Sequence, residues 1–371
     1  VTCVLVTGAG GPLGVNVTRS LRASGAPLRL IGTDANRWHL PLSLCDRTYR
    51  IPFARERTGY ARALREIAAA ESVDVIVPTH PVEVRAVAAL RDAGELPDVG
   101  TALPRTRVLE VADDKVATQR ALQQAGIPVP RTISLGGPRD LQRAFDELRD
   151  GDGPVWVRGS GAPGLGIGGA ALPCRDLGVA TAWVEHHGGW GKMAASEYLP
   201  GANLTWMAAF ADGVLLASGA RERLEYVLPH VSPSGITGAP AVSRTVARPE
   251  LARVGRASVD AIDDRPHGVY FVDVKESSDG RPCVTEINAG RCGTTIHFYT
   301  EAGFNFPHLL VRVARGELVE PLPEPAAAIP PDLYWVRTLD CGPELVRGDA
   351  GFDGYPEAGF DDSADSGEPA S

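Results

Sequence analysis

Residues 269–288 read VYFVDVKESSDGRPCVTEIN. Two apolar-rich runs, VYFVDVK and PCVTEIN, flank SSDGRP, whose Asp-Gly pair is a strong hairpin signal. Glu286 and Asn288 stand two apart on the second strand and so point to one face. Asp273 lies on the partner strand and can face them. Two carboxylates and a carboxamide on one sheet face make a hard-oxygen donor set suited to Mg²⁺, with Mn²⁺ as a substitute. The plain alternative is a solvent-facing acidic pair. Lys275 shares the Asp273 face and reads as a structural salt-bridge partner.

Upstream of the hairpin, strands dominate from Pro154: VWVR, a long glycine loop over 159–169, then MAASEYL, LTWMAAF and VLLASGAR. Arg158 ends a buried-looking strand, where a charge needs a partner. Arg221 and Arg223 end another, can alternate faces, and one of them is expected to reach phosphate or a substrate carboxylate. Helices are expected over 141–148, 250–262 and 306–315. A further helix, capped by Asp113, is expected to run through Ala117, Ala121, Leu122 and Ala125 and to stop at Gly126 and IPVP.

Residues 1–105 differ in kind. Short apolar strands (3–7, 28–33, 73–77) alternate with helices (13–23, 60–70, 82–93), the pattern of a parallel sheet covered on both faces. The expected fold is therefore α/β followed by α+β. It comprises a Rossmann-like parallel-sheet domain over 1–108, a region with a largely antiparallel sheet over 109–320, an extension over 321–348, and an acidic, disordered tail over 349–371.

The chain has 371 residues and a formal net charge of −9. Seven Asp and Glu and no Lys or Arg lie beyond Gly348, and without them the balance is −2. A nearly neutral body argues against nucleic-acid binding and against an anionic membrane as partner. No apolar run approaches a spanning helix, and VTCVLVTGAGG reads as a first strand rather than a leader. Six cysteines (3, 45, 174, 283, 292, 341) show no paired spacing and read as reduced thiols, consistent with a cytoplasmic protein. Lys115, Lys192 and Lys275 are the only lysines against 34 arginines, a bias that a GC-rich bacterial genome produces.

Thr7-Gly-Ala-Gly-Gly-Pro-Leu-Gly14 closes a strand and opens a helix, as phosphate-binding turns do, and Asp34 ends the second strand where a ribose-binding acid would sit. A short-chain, NAD-dependent oxidoreductase would also need a Tyr-x-x-x-Lys pair. None of the three lysines has a Tyr four residues before it. The glycines then serve the turn alone, or a substrate.

Four segments occur in order: Asp114-Lys115-x-x-Thr118 before AGIPVP; PVWVR158 before GSGAPGLGIGGA; Ser196-Glu197-Tyr198-Leu199-Pro-Gly201; and Asp273 with Glu286-Ile287-Asn288. In this order and spacing the chain resembles the ATP-grasp ligases, closest to single-unit relatives of the carbamoyl-phosphate synthase large subunit, over roughly residues 1–320. The resemblance implies an ATP-grasp fold of two α+β subdomains clasping ATP. It implies that Lys115 and Arg158 hold phosphates, and that the flap with Gly164 and Gly166 closes over them. It implies that Glu197, by its carbonyl or side chain, together with Tyr198 and Leu199, reads adenine. Where the family usually carries a ribose-binding Glu this chain has Asn203, which can bond a hydroxyl without charge. Asp273, Glu286 and Asn288 would hold Mg²⁺. Arg291, three residues after the Asn rather than two, would stabilise phosphoryl and acyl-phosphate charge, with Arg221 as a second catalytic arginine. His230, His297 and Tyr299 are candidate substrate contacts.

The activity so implied is an ATP-dependent carboxylate–amine ligase acting on a small-molecule carboxylic acid and an amine. Joining an amino acid to an amine scaffold in antibiotic metabolism is one such role. Family members are often dimers, so a homodimer is the expected assembly. A non-catalytic nucleotide-binding regulator is the alternative from another class.

Overall fold

The computed structural model describes residues 1–96, 98–160, 170–229, 234 and 238–338. The chain opens with β1 (Thr2–Thr7), α1 (Pro12–Ala23), β2 (Leu28–Asp34), β3 (Arg47–Arg50), α2 (Arg57–Ala70), β4 (Val75–Val77) and α3 (Pro81–Asp92). The four strands form a parallel sheet in the order β3-β2-β1-β4. Alternate residues of β1 serve opposite layers: Leu5 packs with α2 and α3, Val4 and Val6 with α1. That two-sided burial is why the strands read as unbroken apolar runs. β3 escaped the sequence reading because RTYR buries only its middle pair.

Two short helices follow, α4 (Thr106–Asp113) and α5 (Lys115–Gln124). The α5 cap is Asp114, whose carboxylate accepts from the Val116 and Ala117 amides at 2.8 and 3.0 Å. The expected cap, Asp113, is instead the last residue of α4 and pairs with Arg85. The expected division at 108/109 falls inside α4. Its Val108 packs beneath the largest sheet, while Leu109 packs into the N-terminal core.

A second sheet is antiparallel. It is built from β5 (Thr132–Ser134), β6 (Val155–Gly159), β7 (Leu172–Cys174) and β8 (Met193–Glu197) in the order β5-β8-β6-β7. Helices α6 (Pro138–Leu148) and α7 (Leu177–His186) cover one face, burying Val155 and Val157. Trp156 and Arg158 alternate to the other face.

The third sheet carries β9 (Asn203–Ala211), β10 (Val214–Tyr226), β11 (Pro240–Val246), β12 (Gly268–Glu276), β13 (Pro282–Ala289) and β14 (Tyr334–Val336), with α8 (Pro249–Asp260), α9 (Ile296–Glu301) and α10 (Phe306–Ala314) between them. The order is β13-β12-β9-β10-β11-β14, antiparallel throughout. β14 adds a strand from beyond residue 320, so Tyr334–Val336 of that extension belong to the sheet. One face is apolar (Trp206, Ala208, Phe210, Tyr270, Val272) and packs under α8. The other face changes character halfway. Its Met207–Phe271 row, with Gly219, packs against α9 and α10. One step along stand Glu286, Asp273, Thr205 and Arg221, directly opposite one another across four strands. The next row holds Lys275, Asn203 and Arg223.

A β-bulge sets this arrangement. Asp273 pairs with Glu286 but Val274 pairs with Val284, leaving Thr285 as an extra residue. Without it, Asp273 would face Thr285, and Glu286 and Asn288 would turn to the α8 side.

Candidate active site

Two cavities open on the charged half of this face. The first is lined by Trp156, Arg158, Glu197, Tyr198, Leu199, Asn203 and Lys275, the second by Arg221, Asn288, Arg291, Cys292 and Thr294 among others. Arg223, Asp273 and Glu286 line both. Each encloses about 710 Å³ of empty space, open mouth included.

Lys115 occupies the first turn of α5, its ammonium 4.0 Å from the Glu286 carboxylate and its side chain 11 % exposed. Burial pushes this ammonium down to about 8, the Arg158 guanidinium adds to the push, and Glu286 and Asp273 oppose it. Arg158 enters from β6, recessed; burial lowers its pKa and Glu286 counters. Among the described residues it has no ion-pair partner within 4 Å. Arg223 donates to Asp273 Oδ1 at 2.5 Å and to Thr205 Oγ1 at 2.9 Å, and the Thr205 hydroxyl donates to the same carboxylate oxygen at 2.9 Å. Burial pushes the Asp273 carboxyl up, but Arg223 and the Thr205 bond outweigh it and hold it below the usual range.

After β13 the chain turns at Gly290, whose φ of +79° belongs to the left-handed region; a Cβ there would lie 2.8 Å from Val84 Cγ1. The turn carries Arg291 back to Asn288, and its guanidinium donates to Asn288 Oδ1 at 2.7 Å.

Three expectations need correcting. Arg221 and Arg223 do not alternate faces: two residues apart on β10, they share one, and both line the second cavity. It is Arg223 that reaches the acid pair, while Arg221 stands two strands away from Asp273 and donates to Thr295 Oγ1. Of the two groups of Glu197 expected at adenine, the side chain is already engaged, accepting from Arg131 N at 3.0 Å and Arg131 Nε at 2.8 Å. Among the described residues Lys275 pairs with no carboxylate within 4 Å; its ammonium donates to Gly201 O at 2.9 Å and lines the first cavity.

Tyr198 lies against Trp156 with ring centroids 6.3 Å apart, and Leu199 is buried at the same wall. Asn203 donates to the Tyr226 hydroxyl. His297 contacts Ser20 and Glu301, and Tyr299 is buried over Gly219. Gly164, Gly166 and His230 lie outside the described residues. Arg223 stands with Arg221 in the sequence reading, and their two-residue offset already implies a shared face; the Lys275 lining role has no such signal.

The residues fit a magnesium–triphosphate. Lys115, Arg158, Arg221, Arg223 and Arg291 face only two acids, and the buried Nε atoms of Arg221 and Arg223 have no partner among the described residues. Such an excess of recessed positive charge calls for a polyanion. Among the described residues no three His, Cys, Asp or Glu gather as a protein-only metal site. Asp273, Glu286 and Asn288 would supply hard oxygen donors to a magnesium ion.

At the N-terminal glycine turn, a Cβ on Gly10 would meet His39 O at 1.8 Å and one on Gly14 would meet Gly8 O at 2.1 Å. Asp34 accepts from the Gly10 and Asn36 amides at 3.2 and 2.9 Å. These glycines serve close backbone packing. Among the described residues no helix is long and apolar enough to cross a membrane.

No family model matches the sequence and no curated protein matches it. Solved structures do. An L-amino acid ligase from Bacillus licheniformis superposes with a TM-score of 0.61 at 16% identity, over 86% of this chain and 75% of that one. A carboxyaminoimidazole ribonucleotide synthase from Aspergillus clavatus, complexed with ATP, gives 0.62 at 17% identity over 90% and 80%. A biotin carboxylase from Campylobacter jejuni gives 0.64 at 16% over 90% and 74%. The fold is the ATP-grasp fold.

Proposed function

We propose that this chain is an ATP- and Mg²⁺-dependent, ADP-forming carboxylate–amine ligase working through an acyl phosphate. The observation that carries the reading is the shared wall: two cavities meet at Arg223, Asp273 and Glu286, so a phosphoryl group held there faces a nucleotide on one side and a second substrate on the other. Every residue lining the two cavities falls within 109–320, which supports reading that stretch as the grasp unit.

In this reading Trp156, Tyr198, Leu199 and the Glu197 backbone border the adenine, and Asn203 and Lys275 lie toward the ribose. Lys115 and Arg158 neutralise phosphate oxygens. Asp273, Glu286 and Asn288 hold Mg²⁺, which when bound offsets phosphate charge. Arg291 draws the acid's carboxylate toward the γ-phosphate. A carboxylate oxygen forms a bond to γ-phosphorus as the bond to the β-phosphate bridging oxygen breaks and ADP departs. The amine nitrogen then attacks the acyl carbon, phosphate leaves, and the nitrogen loses a proton to give the amide. Arg291, tethered by Asn288, faces the charge that develops on the acyl phosphate.

An amino acid or small polar acid as acyl donor, with an amine scaffold as acceptor, is the finer reading. The likeness to an L-amino acid ligase supports it. The test is ADP release from MgATP against a panel of carboxylic acids, with hydroxylamine as surrogate amine. Hydroxamate from one class of acid is the expected result. ATP binding without turnover across the panel would leave a nucleotide-binding regulator as the reading instead.

A further inference from the structure

Arg221 is 3 % exposed, yet it lines the second cavity. Among the described residues its guanidinium donates to a neutral hydroxyl, Thr295 Oγ1, and its Nε has no partner. Burial pushes its pKa down, and Arg223 and Arg337 push the same way. The acid within electrostatic reach, Asp273, is taken by Arg223 and Thr205. Among the described residues Arg221 has no carboxylate within 4 Å. A buried guanidinium so placed is costly unless an anion completes it.

Its surroundings are unfinished in the same way. Among the described residues the buried hydroxyl of Ser243, directly opposite Arg223 on β11, has no partner, and neither has that of Tyr299, which packs over Gly219 on the Arg221 face. Of the other cations of the cavity, Arg223 is paired with Asp273, and Arg291 follows β13, three strands away from β10. One cavity thus carries a cation at each side, and only the Arg291 side adjoins Glu286 and Asn288.

We infer that Arg221 is a specificity-determining residue that binds a second anionic group, carboxylate or phosphate, at the far end of a short acyl donor whose first carboxylate is activated beside Arg291. This rests on the ligase reading above and names the class of acid within it. An acid with one charge would leave Arg221 and its orphaned neighbours unpaired, and sites that lose such a bond discriminate strongly.

The test compares glutarate and 3-phosphonopropionate, which carry two anionic groups, with glutaramate, which carries one. In hydroxamate formation with MgATP, kcat/KM should be at least about thirtyfold higher for one of the dianions than for glutaramate. Arg221→Gln should bring that ratio below about three, and Arg221→Lys should restore part of it. A ratio near one in the unaltered protein overturns the proposal, as does a ratio that Arg221→Gln leaves unchanged. The comparison among acids needs no variant, so a folding defect does not obscure it. Titration calorimetry without nucleotide reads the anion site separately. Glutarate or phosphonate binding that glutaramate lacks, with no ADP released from any acid, supports the site and removes the ligase reading alone. No preference in either assay removes the site.

Discussion

Lys115 offers the sharpest quantitative test. Its ammonium, ordinarily near 10.5, is held down to about 8 by burial beside Arg158. That difference costs the nucleotide-free protein about 3 kcal/mol at neutral pH, a cost relieved as pH rises through 8 toward 10.5. Triphosphate oxygens supply the missing negative charge and favour the charged ammonium. Above pH 8, binding must therefore take up a proton, and affinity must fall about tenfold per pH unit. At pH 9 roughly nine-tenths of free Lys115 is neutral, against roughly one-tenth at pH 7. Calorimetry of MgATP binding in buffers of different ionisation enthalpy should show uptake of about 0.9 proton at pH 9 and about 0.1 at pH 7. The dissociation constant should be about tenfold weaker at pH 9. Lys115→Arg, charged throughout, should flatten both curves. A pH-independent affinity without proton uptake refutes the reasoning, and so does an Arg variant that keeps the slope, since the proton would then belong to another group.

Asp273→Asn strands Arg223 without its partner and should cost roughly 3–5 kcal/mol in thermal or denaturant unfolding, with ADP release reduced at least about a hundredfold. Adding Arg223→Gln should recover much of the stability and none of the turnover. Glu83, buried on α3 and bonded by the Thr7 hydroxyl at 2.8 Å, is pushed by burial up to about 7 from its ordinary 4.5. Its folded form holds a proton that the unfolded chain has lost, so stability declines as pH rises from 4.5 through 7. Glu83→Gln should raise urea stability by about 1–3 kcal/mol at pH 8 and leave it unchanged near pH 4.5.

Much of this fold is legible because its local signals agree. The apolar strands of the first sheet, the amphipathic α8 and α10, and the Asp-Gly hairpin each carry their own periodicity. The short strands are not legible. β3, β5 and β7 have three or four residues, and the partners that make them strands lie elsewhere in the chain. The same division runs through the site. Lys115, Arg158, Asp273 and Glu286 stand out as charges inside apolar or capped segments, and the fold brings them together. What Glu197 bonds to is set by Arg131, 66 residues away, and no local pattern shows that. Nor does sequence spacing show that Arg221 and Arg223 divide their work, since their roles follow from which strand lies opposite each.

The extra residue at Thr285 acts on this protein as a reading frame acts on a message. On its C-terminal side the even-numbered residues of β13, Glu286 and Asn288, face the charged half of the sheet; on its N-terminal side the odd-numbered Cys283 stands opposite Lys275. Pairing the same residues without the bulge would leave composition, charge and hairpin intact while turning Glu286 and Asn288 toward the apolar layer under α8. Deleting Thr285 itself would instead leave a regular ladder in which Glu286 still stands opposite Asp273. Register, at this one place, is as much a part of the site as the carboxylates themselves.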